Sequence, residues 1–164
     1  HKGLLVKGGG HAMAAGLTVA EDKIDALRDF LTQHMAPAVA KAQENSCLYI
    51  DGLIAPGGAT AELIDALERV GPYGVGNPGP RFVMEACTLV DCARVGEDHI
   101  RCRFKGRDGK SLKVMAFRSA DTDMGMALLR GVGQKFHIVG KLKKDEWRGG
   151  GAVEMTLEDA APFA

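Results

Sequence analysis

His99-Ile100-Arg101-Cys102-Arg103-Phe104-Lys105 alternates without a break between apolar and polar side chains. A β-strand turns successive side chains to opposite faces, so this stretch reads as a strand with Ile100, Cys102 and Phe104 on one face and His99, Arg101, Arg103 and Lys105 on the other. Downstream, Arg107-Asp108-Gly109-Lys110 carries the Asp-Gly hairpin signal, and Leu112 to Phe117 reads as the returning strand. Upstream, Phe82 to Val95 reads as one long strand or a bent pair. Met124 to Val132 is a short helical stretch. Phe136 to Leu142 alternates again, with Lys135, His137, Lys141 and Lys143 around Phe136, Ile138 and Leu142, and Val153, Met155 and Leu157 make a last strand. Three strands, a helix and two more strands is the order of a five-stranded OB-type barrel with its helix between the third and fourth strands.

The chain before Arg81 has a different character. Leu4-Leu5-Val6 reads as a strand end stopped by a tight turn at Gly8-Gly9-Gly10, followed by the small, helix-tolerant residues His11 to Ala15. Ile24, Leu27, Phe30, Leu31 and Met35 recur at helical spacing behind a possible Thr18/Glu21 capping box, and Pro37 either kinks that helix or ends it near Ala36. Cys47 to Ile54 is strand-like. Thr60 is a good N-cap for a helix with Leu63, Ile64, Leu67 and Val70 on its apolar face. GPYGVGNPGP, from Gly71 to Pro80, holds four Gly and three Pro and reads as the linker between two modules. The expected division is therefore 1–70, a linker at 71–80, and a barrel at 81–164, an α+β chain.

Apolar residues at 46% and charged residues at 26% are globular values, which exclude wholesale disorder. No apolar run approaches the ~20 residues that a membrane-spanning helix needs. The chain opens without Met and without a basic-then-apolar leader, and reads as a piece of a longer protein. The formal net charge of zero hides a partition. Residues 1–80 carry six Lys/Arg against nine Asp/Glu, residues 81–148 carry fifteen against nine, and the remainder carries none against three. A basic module between acidic flanks points to a polyanionic partner. Cys47, Cys87, Cys92 and Cys102 show no C-x-x-C spacing, so they read as buried thiols in a reducing cytoplasm rather than as a disulfide or metal site.

Two groups of residues carry candidate chemistry. Gly8, Gly9 and Gly10 let the backbone approach a ligand closely, and successive N–H groups ahead of a short helix form an anion-binding nest with His11 at its mouth. The alternative reading is a plain Gly-rich turn. Arg101, Arg103 and Lys105 on one strand, with Lys141, Lys143 and Lys144 on another, form the basic rows that barrel strands present to a phosphate backbone. Tyr73, Phe117 and Trp147 are the candidate base-stacking platforms, with Phe117 expected in the core and Trp147 exposed.

KGGGHAMAAG, from Lys7 to Gly16, resembles the signature of the substrate-binding domain that accompanies DHH-type phosphoesterases. The longer GGGHAMAAGLTV and the linker PYGVGNPGP are similar to those of the RecJ-type single-stranded-DNA exonucleases, with Tyr73 and Gly79 departing from the usual Phe and Glu. The resemblance covers the whole chain. It implies the C-terminal part of a DHH-associated α/β domain followed by an OB domain, in a cytoplasmic 5′→3′ exonuclease of DNA repair and recombination. It further implies single-stranded DNA as partner, possible docking of a single-strand-binding protein, and Gly8, Gly9, Gly10 and His11 as contacts to substrate phosphates. The Mn²⁺ or Mg²⁺ pair that activates water would be bound by a domain outside this chain, since no carboxylate–His cluster of metal-site density is present here. Catalytic and metal-ligating residues are therefore expected to be none. The other reading is a non-catalytic single-strand-binding module.

Overall fold

A computed structural model describes residues 3–44, 46–145 and 151–163. It divides into two compact units, residues 1–48 and residues 49–164.

In the first unit, β1 (Leu5–His11) and β2 (Ala14–Val19) form an antiparallel hairpin. The sequence suggested a turn at the glycines and a helix after them. Instead, Gly8, Gly9 and Gly10 lie within β1, paired with Leu17, Gly16 and Ala15, and the chain reverses at Ala12-Met13. Glycine tolerates extended backbone as readily as a turn, and without a side chain it carries no pattern that separates the two. At Gly10 glycine is a packing requirement, because a Cβ there would come within 2.7 Å of the Ala14 oxygen and the Ala15 Cα. A 3-10 turn at Glu21–Lys23 leads into α1 (Ile24–Glu44), capped at Ala20 without a side-chain bond, so the Thr18/Glu21 capping box does not form. The helix continues through Pro37.

The second unit opens with β3, reduced from the expected Cys47–Ile54 strand to Gly52–Leu53, paired in parallel with the start of β4 (Phe82–Val95). Between them lies α2 (Ala61–Glu68), where the Leu63 N–H donates to Thr60 Oγ1 at 3.2 Å as the N-cap reading requires. Residues 71–80 lie inside this unit as irregular chain between α2 and β4.

The remaining strands are β5 (His99–Lys105), β6 (Ser111–Ala116), β7 (Lys135–Lys144) and β8 (Val153–Pro162), with α3 (Asp123–Arg130) between β6 and β7. The sheet runs β4-β5-β6-β8-β7 and closes by pairing β7 with β4. The β6–β8 pair is parallel and the other barrel pairs are antiparallel. Closure leaves no barrel edge unpaired. The interior is filled by Met84, Leu89, Ile100, Phe104, Val114, Phe136, Ile138 and Met155, each at most 1% exposed. Phe104 and Phe136 meet edge to face at 6.2 Å. The alternation of β5 is realised residue by residue, with Ile100, Cys102 and Phe104 buried and Arg101, Arg103 and Lys105 exposed. Thr122 caps α3 by accepting from the Gly125 N–H at 3.1 Å, and Leu128 is fully buried against the barrel.

Candidate nucleic-acid interface

The register fixes which outward side chains are neighbours. Asp91 on β4, Arg103 on β5, Lys113 on β6, Glu154 on β8 and Lys143 on β7 form one row across the outer wall. Ala93, Arg101, Met115, Thr156 and Lys141 form the next. The two predicted basic strands thus share one face of the barrel, with β6 and β8 between them. At about 4.8 Å per strand, β5 and β7 stand roughly 14 Å apart along the wall.

A cleft of about 390 Å³ opens over the β5–β6 half, lined by Asp91, Arg101, Arg103, Ser111, Lys113 and Asp145 among others. Its floor is the second and third barrel strands and one wall is the root of the β7–β8 connection, the location at which OB barrels take oligonucleotides. Arg101 faces Asp91 at 3.6 Å, with both side chains about half exposed. Among the described residues Arg103 and Lys105 have no ion pair.

Lys113, which the sequence reading did not single out, organises the centre of this wall. Its Nζ lies 2.9 Å from Asp145 Oδ2 and 2.6 Å from Glu154 Oε2, and both carboxylates are almost fully buried. Hydrogen bonding to Glu154 and then to Asp145 holds the Lys113 ammonium above the ordinary lysine range. Lys143 takes the other oxygen of Glu154 at 3.0 Å. The only local signal was Glu154 alternating between Val153 and Met155; its partners Lys113 and Lys143 come from two other strands that only the register brings together.

The other predicted cations differ in how tightly they are held. Lys141 is loosely paired with Glu158 at 3.7 Å, whereas Lys144 bonds Asp65 of α2, which raises its pKa. Phe117, expected in the core, is 43% exposed just beyond β6, with Lys143 Nζ 5.2 Å from its ring centroid and His99 edge-on at 5.3 Å. Phe117 has the parity of the outward-facing Lys113 and Met115, so the alternation that buries Leu112, Val114 and Ala116 turns it away from the core. Tyr73 is also partly exposed, its hydroxyl donating to the Leu67 carbonyl at 2.8 Å, in a second cavity of about 450 Å³ between α2 and β7. Trp147 lies outside the described residues.

In the first unit His11 is exposed, and its Nδ1 accepts from the Met13 N–H at 3.2 Å. That bond assigns the ring proton to Nε2, which is then a donor. A Cβ at Gly9 would meet nothing within 4 Å, so this point of the hairpin is open. Among the described residues no three His, Cys, Asp or Glu side chains converge as a metal site, and no helix is long and apolar enough to cross a membrane.

Barrel order, the parallel β6–β8 pair and the basic cleft over β5 and β6 define an OB-type domain. The family model described as the RecJ OB domain matches residues 50–159, and the chain belongs to that family. Its relatives include single-stranded-DNA-specific exonucleases RecJ of Dickeya dadantii, 28% identical over 99% of this chain, and of Bacillus subtilis, 25% identical over 93%. The chain spans only 28% and 19% of their respective lengths. The crystal structure of Thermus thermophilus RecJ in complex with Mn²⁺ matches 98% of this chain and 22% of that one, at 26% identity and a TM-score of 0.58.

Proposed function

We propose that this chain is the substrate-holding C-terminal region of a cytoplasmic RecJ-type exonuclease that degrades single-stranded DNA 5′→3′ in repair and recombination. The observation that carries the reading is the outer cleft of a RecJ-family OB barrel, floored by Arg101, Arg103 and Lys113. Single strands are the fitting ligand, because a shallow groove with cations along one wall and an exposed aromatic ring nearby accepts a backbone and an unstacked base. Arg103, Lys105, Arg101 and Lys141 take phosphates, and Phe117 offers the stacking face. Lys143 and Lys144 are held by carboxylates and contribute less. Gly8, Gly9, Gly10 and His11 act at the reacting end of the strand, where Nε2–H of His11 donates to a phosphate oxygen and Gly9 admits the backbone. The Mn²⁺ or Mg²⁺ that activates water belongs to a domain outside this chain, so this region binds and orients substrate.

The test is binding of fluorescein-labelled single-stranded DNA by the chain and by its Arg101→Ala/Arg103→Ala/Lys105→Ala variant. These side chains point away from the core, so the variant should keep its melting temperature and lose affinity at least tenfold. Unchanged affinity would remove the cleft as the site.

A further inference from the structure

Cys92 on β4 and Cys102 on β5 are direct partners in the antiparallel register. Their Sγ atoms lie 3.3 Å apart and both thiols are free. Partners in an antiparallel pair have Cα atoms about 4.5–5.5 Å apart and side chains on the same face, within the roughly 4.4–6.8 Å that a disulfide spans. The sulfurs must close by about 1.3 Å to bond, which small χ1 rotations of both residues supply without moving the strands.

The two thiols are not equivalent. Cys102 is 1% exposed, and its hydrogen bond to Cys92, together with burial, keeps it protonated. Cys92 is only half-buried and is the member of the pair that ionises first, because the bond to Cys102 lowers its pKa. The remaining buried thiol, Cys87, is pushed up to about 11 by burial and by Asp108, which leaves it inert. A half-buried, more readily ionised thiol in contact with a resolving thiol is the pairing that intramolecular thiol–disulfide exchange uses.

We propose that Cys92 and Cys102 are a site of reversible oxidation by low-molecular-weight disulfides. The Cys92 thiolate attacks one sulfur of the disulfide RSSR, breaks its S–S bond and releases RS⁻. The Cys102 thiol then gives up its proton and attacks the Cys92 sulfur of the mixed disulfide, releasing the second RS⁻. Two protein thiols become one Cys92–Cys102 disulfide, RSSR is reduced to two RSH, and the two protons leave with the released thiols. The bond ties β4 to β5 at the point where Arg101 and Arg103 flank Cys102 on the opposite face, so oxidation stiffens the basic wall.

The experiment uses the 164-residue chain carrying Cys47→Ser, which removes the exposed thiol of the first unit. After incubation with excess oxidised glutathione, mass spectrometry should show a loss of about 2 Da, a peptide pair linked through Cys92 and Cys102, and full reversal by dithiothreitol. The melting temperature should rise by roughly a few degrees on oxidation. Adding Cys92→Ala should abolish the mass loss, with circular dichroism reporting that the barrel is retained. A chain that stays fully reduced, that stops at a stable glutathione adduct, or that links Cys87 instead would overturn the proposal. Because the linked peptide is read in the parent chain, a misfolded Cys92→Ala variant leaves the decision intact.

Discussion

Lys113 shows how much of the candidate interface is decided by single side chains. Two buried carboxylates converge on its ammonium, with Lys143 helping one of them. Removing the ammonium while keeping the stem, as in Lys113→Met, takes one cationic contact away from each of two almost fully buried carboxylates. The expected loss is about 2–3 kcal/mol, less than for a wholly buried pair because the lysine side chain is 27% exposed. The pH dependence has a definite sign. A cation whose folded pKa is raised contributes its full stabilisation below the unfolded lysine value and loses it as pH rises through the folded one. Urea melts of the two proteins should therefore differ by a constant amount through neutral pH and converge only in strong alkali. The absence of a gap at neutral pH would show that the ion pairs add nothing, and a gap already closing by pH 8 would show that the Lys113 pKa is not raised.

His11 and Gly9 are the second residue-scale case, because the hairpin separates structure from chemistry there. Gly9 has open space around its Cβ position and lies in an extended strand, so Gly9→Val should fold normally. On the proposed reading, Gly9→Val in the full-length protein should nevertheless depress exonuclease activity, since a branched side chain would stand where the phosphate backbone is to approach. His11→Ala removes one donor to a charged acceptor, worth about 1.5–3 kcal/mol, so kcat/KM should fall roughly ten- to a hundredfold. Wild-type turnover in both variants would reduce the GGGH stretch to hairpin architecture.

At the scale of elements, legibility followed from whether a segment's two faces see different media. β5 is half core and half solvent, and its period of two could be read directly, together with the Asp-Gly turn and the return strand. The glycines of β1 have no side chains to report a face, and the sequence placed a turn where a strand runs. Thr60 was legible as a cap because its signal is local, whereas the Thr18/Glu21 box lost to the demands of the β2 strand that contains Thr18. Of the site, the cations of β5 and β7 were visible as rows; Lys113, Asp145 and Glu154 were not, because no local pattern encodes cross-strand register. Close packing between elements is equally silent. A Cβ at Gly140 would fall 2.1 Å from the Thr156 carbonyl oxygen, where β7 bulges against β8. Gly140→Ala must push those strands apart and should cost about 2–4 kcal/mol in urea unfolding. Gly9→Ala, with nothing near its Cβ, is the matched control and should be close to neutral.

Across the whole molecule, a formal charge of zero coexists with a barrel wall on which cations outnumber the carboxylates set among them, and this makes the salt dependence of binding a quantitative readout. Arg103 and Lys105 have no ion pair among the described residues, and Arg101 and Lys141 hold their carboxylates only at 3.6 and 3.7 Å. Of the cations in the two outward rows and at the end of β5, these four are the least held by protein carboxylates and can exchange a carboxylate or counterion for a DNA phosphate. At ~0.7 counterions released per phosphate of a single strand, log K against log[salt] should fall with a slope near −3. Changing Arg101, Arg103 and Lys105 together to Ala leaves Lys141 alone, and the slope should collapse to about −0.7, while changing Lys144, which is tied to Asp65, should scarcely alter it. Fluorescence anisotropy of a labelled single strand titrated between about 50 and 200 mM salt measures all three. A parent slope near zero would mean that the basic wall is a solvated surface, and an equally steep slope in the triple variant would move the phosphate contacts to β7.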